Sequence, residues 1–156
     1  MSFDPRERRA AAEELFERGY NCAQAVACAY RDTLGMTEPQ CARLVSSFGG
    51  GMGRMREVCG AVSGALLVLG NLHGYDDPAD PEAKAGHYAH VQEFARRFRE
   101  NNGSIICREL LEGIPAGQDT APHAEARTKT FYERRPCKCY VGDAAEILAE
   151  LLNEME

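Results

Sequence analysis

Apolar side chains recur at intervals of three and four residues along much of this chain, which is the spacing of one buried face of an α-helix. The clearest face has five such residues set among charged and amide positions: Tyr88, Val91, Phe94, Ala95 and Phe98. A similar face over 141–152 predicts a last helix from about 141 to 156. Since no segment shows convincing strand alternation, the pattern predicts helices and no strand.

Residues that start and stop helices divide the first part of the chain. Pro5 stands in a first-turn position and Gly19 is a stop signal, so a first helix is expected over about 6–18. Asn21 can cap a second helix, which is expected over 22–34. The two helices are therefore separated by only a short turn.

The same signals predict two shorter helices and a long loop. Thr37 and Gln40 have the spacing of a capping box, which predicts a third short helix that carries Cys41, Leu44, Val45 and Phe48 inward. A short helix is expected over 105–111, after a glycine and a serine. The segment 112–123 is rich in turn residues and is long enough for a loop with a function or with mobility.

The segment from Cys59 to Gly70 is apolar nearly all round, which predicts a buried central helix. Small residues at 60, 61, 64 and 65 would let neighbouring backbones approach this helix closely. We therefore expect an all-α fold: a single-domain helical bundle over 1–156, with about six to seven helices around a Gly/Ala-rich central helix.

Composition and charge exclude several classes of protein. A chain of 156 residues is long enough to bury a core as one domain. A net charge of -6 argues against nucleic-acid binding, which depends on Lys and Arg. The strongest apolar run, 61–72, is too short to cross a bilayer, so no membrane insertion is expected. The first nine residues are charged and lack a signal-peptide core, which favours the cytoplasm.

Seven cysteines are an odd number, and a full disulfide framework is not expected in a reducing compartment. Four of them share a position at or just before a predicted helix start: Cys22, Cys59, Cys107 and Cys137. The last three of these also have basic residues nearby in the sequence. Unpaired backbone N–H groups and positive charge both favour the thiolate, the form that acts as nucleophile or metal ligand. Cys28 and Cys41 lie on apolar helical faces and are expected in the core.

A glycine-rich loop precedes Cys59. Its residues lack the spacing of a nucleotide-binding fingerprint, so a tight connection between helices is the simplest interpretation. The alternative is an anion nest that would stabilise a thiolate or a cluster near Cys59, made by Gly49, Gly50, Gly51, Gly53 and Arg54. His87 and His90 are one helical turn apart, but they lack a third ligand and are expected to be solvated.

Five segments, in order along most of the chain, carry a resemblance to a known family. They read GYNCAQAV over 19–26, FGGGMGR over 48–54, VCGAVSGA over 58–65, GSIICREL over 103–110 and CKCYV over 137–141. This pattern resembles the C_GCAxxG_C_C family, whose members are described as redox-active proteins. The family is also similar to a domain of split-Soret cytochromes. Since the chain has no C-x-x-C-H, covalent c-type haem is not expected.

The resemblance implies that Cys22, Cys59 and Cys107 match family cysteines and that the fourth is Cys137 or Cys139, with Cys137 preferred. Four thiolates could hold an iron–sulfur cluster or zinc, or form switchable disulfides for electron transfer. Without a metal, Cys59 is the expected nucleophile because basic residues and the glycine loop flank it.

The rival hypothesis is a non-enzymatic module, either a structural zinc site or a helical protein with a small-ligand pocket beside the glycine loop. The two hypotheses share the same cysteines and differ in what the thiols do. A redox partner is implied but not identified by the chain. The apolar helical faces would permit a homodimer.

Overall fold

The structure, a computed structural model, describes residues 2–155 and confirms the all-α fold. Its α-helices are α1 (Pro5–Glu17), α2 (Cys22–Cys28), α3 (Arg31–Leu34), α4 (Glu38–Val45), α5 (Gly60–His73), α6 (Pro81–Asn102), α7 (Cys107–Leu110), α8 (Lys129–Arg134) and α9 (Cys137–Glu154). A 3-10 turn, Ser46–Phe48, follows α4 and leads into the glycine loop. These helices are more numerous and shorter than the six to seven expected.

Helices begin where capping side chains satisfy their first backbone N–H groups. Asn21 accepts from the N–H of Gln24 at 2.9 Å, and the Gln24 side chain accepts from the N–H of Asn21 in return. Thr37 and Gln40 form the same reciprocal box at the start of α4. Because these caps depend on side chains three residues apart, the sequence alone was enough to predict them.

The central helix α5 packs closely against α2, as its small residues predicted. A Cβ at Gly64 would lie 2.6 Å from the carbonyl oxygen of Ala23, and a Cβ at Gly60 would lie 3.2 Å from the Cβ of Cys22. Only glycine permits approaches this short. The close crossing brings the first residue of α2 beside the first turn of α5, which places Cys22 next to Cys59 in space.

A second contact joins α1, α2 and α9 in the core. The buried Tyr30 hydroxyl donates to the carbonyl oxygen of Ala145 at 2.8 Å. Near the ends of the described chain, the Phe3 backbone N–H donates to Asn153 Oδ1, and Asn153 Nδ2 donates to the Phe3 carbonyl, both at 2.8 Å. These bonds tie α9 to Tyr30, which follows α2, and to Phe3, which precedes α1.

The expected single helix over 22–34 is wrong, because the chain breaks between α2 and α3. Tyr30 leaves the helical conformation with φ -116° and ψ 17°. Arg8, on α1, donates to the carbonyl of Ala29 at 2.7 Å, so that carbonyl has a partner outside the helix. The N–H of Thr33 bonds instead to the Tyr30 carbonyl. The break therefore comes from a contact between distant parts of the chain.

The bounds of two helices differ from expectation, and one further helix is present. The last helix begins at Cys137 instead of about 141, the helix expected over 105–111 covers only Cys107–Leu110, and α8 was not predicted. In place of a strand, residues 2–155 contain one isolated antiparallel bridge, between Val58 and Ile106. No helix within this range combines the length and the apolar character needed to cross a membrane.

Candidate thiol site

The four cysteines that were singled out all stand at helix starts. Cys22, Cys107 and Cys137 are the first residues of α2, α7 and α9, and Cys59 is the residue just before α5. Each thiol therefore stands near the positive end of a helix dipole, which favours the ionised form. This effect is weakest for Cys107, because α7 is a single turn.

All four side chains line one cavity of about 320 Å³. Cys22 is half-buried, whereas Cys59, Cys107 and Cys137 are buried. Most of the remaining wall is made by the glycine loop, by four arginines and by three aromatic residues. The arginines are Arg54, Arg56, Arg127 and Arg135, and the aromatic residues are Phe16, Phe131 and Tyr140. Chain segments that are far apart in sequence thus bring four thiols to a common space.

The other three cysteines lie outside this cavity. Cys139 is exposed, and its Sγ is 3.8 Å from Nη2 of Arg9. Of the two candidates for the fourth position, Cys137 is therefore the one that shares the cavity. Cys28 and Cys41 are fully buried in the core, as expected, and interaction with Cys41 and burial raise the pKa of Cys28.

Cys22 and Cys137 interact inside the cavity, and the ionisation of one thiol depends on the other. The interaction with Cys22 lowers the pKa of Cys137 to about 7, and the nearby positive charges of Arg135 and Arg127 act in the same direction. The interaction with Cys137, together with burial, raises the pKa of Cys22. Of the two thiols, Cys137 is therefore the more readily ionised.

Cys59 and Cys107 are held beside each other by the isolated bridge. The Cys59 N–H donates to the Ile105 carbonyl at 2.7 Å, and the Cys107 N–H donates to the Glu57 carbonyl at 2.6 Å. These bonds flank the Val58–Ile106 pair. The second pair of thiols is thus fixed by backbone bonds and not by side-chain packing alone.

Burial dominates the ionisation of this second pair. It raises the pKa of Cys59 to about 12 and also raises the pKa of Cys107, where the Arg56 guanidinium opposes it. Arg56 Nη1 lies 3.8 Å from Cys107 Sγ. The basic partner expected for Cys59 therefore contacts Cys107, and Cys59 is not the most acidic thiol of the four.

The glycine loop makes room for this arrangement. Gly50 and Gly51 have left-handed φ values of 66° and 69°, and a Cβ at Gly51 would lie 2.7 Å from the Cβ of Cys107. A Cβ at Gly49 would lie 2.4 Å from the side chain of Asn21, the residue that caps α2. The loop is thus both the expected tight connection and part of the cavity wall.

Three non-glycine residues in and after this loop also have left-handed backbone, which the sequence did not reveal. Met52, Arg54 and Arg56 have φ values of 67°, 69° and 60°. The N–H groups of Arg54 and Arg56 donate to the carbonyls of Gly49 and Gly50. These two amides are therefore engaged within the loop, so the arginine side chains offer the freer donors to an anion.

Three of the four arginines of the wall are held largely by the irregular segment between α7 and α8. Arg56 Nε donates to the Asp119 carbonyl at 3.0 Å, and Arg54 pairs with the Asp119 carboxylate at 3.3 Å. Arg135 forms an ion pair with Glu125. The long loop expected over 112–123 thus contributes a wall of the cavity.

Arg127 is a site residue that sequence reasoning missed, because it stands alone in an irregular segment without a motif. Its guanidinium donates to the Phe16 carbonyl at 2.9 Å and the Tyr20 carbonyl at 2.8 Å. It also lies over the Phe16 ring, 4.3 Å from the centroid. These contacts fix a positive charge at the cavity next to the end of α1.

Within residues 2–155, no three or more His, Cys, Asp or Glu side chains converge closely enough to hold one metal ion. If a metal centre were bound here, Cys22, Cys59, Cys107 and Cys137 would be the side chains that hold it, and it would occupy the shared cavity.

The structure is thus an all-helical protein with four helix-start thiols around one cavity. The family model described as "Putative redox-active protein (C_GCAxxG_C_C)" matches residues 20–151. The chain therefore belongs to the C_GCAxxG_C_C family, and all four cavity cysteines lie within the match. No curated protein and no solved structure matches the chain.

Proposed function

We propose that the protein is a dithiol–disulfide redox protein in which Cys22 and Cys137 are the reacting pair. One observation carries this proposal: the two thiols line one cavity, where the interaction with Cys22 and the positive charges of Arg135 and Arg127 favour the thiolate of Cys137. A thiolate with a pKa near ambient pH is the efficient attacking form in thiol–disulfide exchange. Cys137 replaces Cys59 as the expected nucleophile.

The proposed reaction transfers two electrons to a disulfide substrate. The Cys137 thiolate attacks one substrate sulfur, forming a mixed disulfide and releasing the other half as a thiolate. That thiolate takes the proton of Cys22. Cys22 then attacks Sγ of Cys137, so that the second half of the substrate leaves and a protein disulfide forms. Cys59 and Cys107 line the same cavity and could exchange with this disulfide.

Serine substitutions test the assignment. Fully reduced protein is mixed with a small neutral disulfide under anaerobic conditions, and disulfide-linked peptides are identified by mass spectrometry. We expect a Cys22–Cys137 disulfide in the natural protein and its loss in Cys22→Ser and Cys137→Ser. Cys139→Ser is the matched control, because this thiol is two residues away but outside the cavity. A disulfide that forms only through Cys139 would contradict the proposal.

An iron–sulfur cluster is the second candidate, favoured by four cysteines from four chain segments around one cavity. Cys22, Cys59, Cys107 and Cys137 would be its ligands, and the cluster would supply one-electron transfer. Anaerobically purified protein with iron, acid-labile sulfide and visible absorbance, all lost in Cys59→Ser, would favour it. Stoichiometric zinc would favour a structural module, and metal-free protein that exchanges disulfides would favour the dithiol.

A further inference from the structure

We propose that the substrate of this site is a small disulfide that carries carboxylates or similar anionic groups. This inference rests on the proposed dithiol function and adds the chemical class of the substrate. It comes from the charge of the cavity wall, from the guanidinium donors that lack partners, and from the burial of the reacting thiols.

The cavity wall is positive although the chain as a whole has a net charge of -6. Four arginines line it: Arg54, Arg56, Arg127 and Arg135. Two carboxylates face them, Glu125 on Arg135 and Asp119 on Arg54. The wall therefore holds more positive than negative side chains.

Two of the four arginines have only neutral partners within residues 2–155. Arg56 donates to the carbonyls of Asp119 and Ala116, and it contacts the Cys107 thiol. Arg127 donates to two carbonyls and a tyrosine hydroxyl. Carbonyl oxygens hold a guanidinium in place but do not neutralise its charge, so both charges stay available to an anion.

Guanidinium donors without partners give a second, independent observation. Arg135 is 9% exposed, and its Nε is buried with no hydrogen-bond partner. Nε of Arg54 is buried and unpartnered in the same way. A buried donor of a charged group is costly to leave unpaired, so these two guanidinium groups are not fully compensated by their present partners. Arg135 also stands two residues before the proposed nucleophile, so an anion held there lies near its sulfur.

The reacting thiols are accessible to a small molecule and not to the surface of a folded protein. Cys137, the proposed attacking thiol, is 7% exposed, and its partner Cys22 is half-buried, both at the wall of a cavity of about 320 Å³. A volume of this size is typical of a site for a small metabolite. In the overall reaction, two protein thiols become one disulfide, and the substrate becomes two small thiols that carry the anionic groups.

Three disulfides with the same two-carbon spacer between sulfur and the end group, and with different charge, provide the test. They are 3,3′-dithiodipropionate (anionic), 2-hydroxyethyl disulfide (neutral) and cystamine (cationic). Reduced full-length protein is mixed with each, and the rate of protein disulfide formation is measured by quenched-flow mass spectrometry. The rate of each disulfide with the protein is divided by its rate with 2-mercaptoethanol, which corrects for intrinsic reactivity. After this correction, we expect the anionic compound to react about tenfold faster than the neutral one and the cationic compound to react slowest. The preference should shrink at high salt.

Arginine variants then locate the source of the preference. Arg56→Gln and Arg127→Gln should each lower the ratio of the anionic rate to the neutral rate, and the double variant should bring it close to one. Arg99→Gln is the matched control, because Arg99 is exposed on α6 and lies outside the cavity. The ratio compares two substrates on one variant, so a general loss of stability does not move it.

The outcomes separate this inference from the function on which it rests. Exchange at equal normalised rates with all three disulfides would overturn the inference and leave the dithiol function standing. A charge preference that survives in the double variant would overturn the role of these arginines. No exchange with any of the three compounds would refute the dithiol function and the inference with it.

Discussion

At the scale of single residues, the informative contrast is between four thiols that share a cavity and differ in their surroundings. Cys137 has the Cys22 thiol and positive charge nearby, both of which lower its pKa, whereas burial raises the pKa of Cys59 without a basic contact to oppose it. The sequence placed both beside basic residues and could not separate them. Which arginine contacts which sulfur depends on the loop backbone, and that is a tertiary property.

The pH dependence of alkylation follows from this contrast. Because the pKa of Cys137 is lowered to about 7, its thiolate fraction rises through that pH and is nearly complete at pH 8. The rate of Cys137 modification by iodoacetamide should follow this curve when site labelling is measured by mass spectrometry from pH 5 to 9. In Cys22→Ser the midpoint of the Cys137 labelling curve should move, because a hydroxyl replaces the Cys22 thiol that interacts with Cys137. A midpoint near 8.5, as in a free thiol, would contradict the pairing.

The glycine loop supports a second prediction at the same scale. Gly51→Ala should destabilise the protein by more than Gly53→Ala and should change the labelling of Cys107. Both positions have left-handed φ, 69° and 59°, so both variants carry backbone strain of about 1–2 kcal/mol. Only at Gly51 does the new Cβ meet Cys107, at 2.7 Å, whereas at Gly53 the nearest atom is 3.9 Å away.

Urea unfolding of both variants measures this difference directly. The control is Gly53→Ala itself, which isolates strain from contact. Equal losses of stability, with unchanged Cys107 labelling, would mean that the loop does not position this thiol.

At the scale of helices, the site depends on how closely α2 and α5 cross. Gly64→Ala places a Cβ 2.6 Å from the Ala23 carbonyl and should cost about 1–3 kcal/mol in the free energy of unfolding. Gly70→Ala lies on the same helix with nothing within 4 Å and should stabilise it by up to about 1 kcal/mol. Opposite signs in chemical denaturation are expected, and a gain of stability at both positions would contradict the packing.

The sequence predicted those parts of the helical layout that local chemistry determines. The capping boxes at Asn21 and Thr37 need only side chains three residues apart, and the small residues of α5 are visible as a pattern. The break at Tyr30 was not predictable in this way, since Arg8 takes the Ala29 carbonyl from another helix. Pro136, which stands directly before the first residue of α9, was an overlooked signal for the earlier start of that helix.

At the scale of the whole molecule, the candidate site joins the two ends of the fold. Oxidation of Cys22 and Cys137 would link α2 to α9 and close a loop of about 115 residues, which restricts the unfolded chain. The oxidised protein should therefore unfold at a higher temperature than the reduced protein, with a gain in free energy of up to about 4–5 kcal/mol.

Calorimetry of the two redox states of one sample measures this gain. The control variant Cys139→Ser should show the same difference, and Cys22→Ser should show none. A lower unfolding temperature after oxidation would mean that the disulfide strains the native fold, against the proposed pairing.

The two core cysteines, Cys28 and Cys41, can report how often the protein unfolds. Both side chains are 0% exposed in the core between α2 and α4, while Cys139 is in contact with solvent. A reagent added to the native protein should label Cys139 at once and reach the core pair only when the helices separate. The labelling rate of Cys28 and Cys41 therefore measures the frequency of unfolding without a denaturant. The same mass spectrum also reports the labelling of the cavity cysteines.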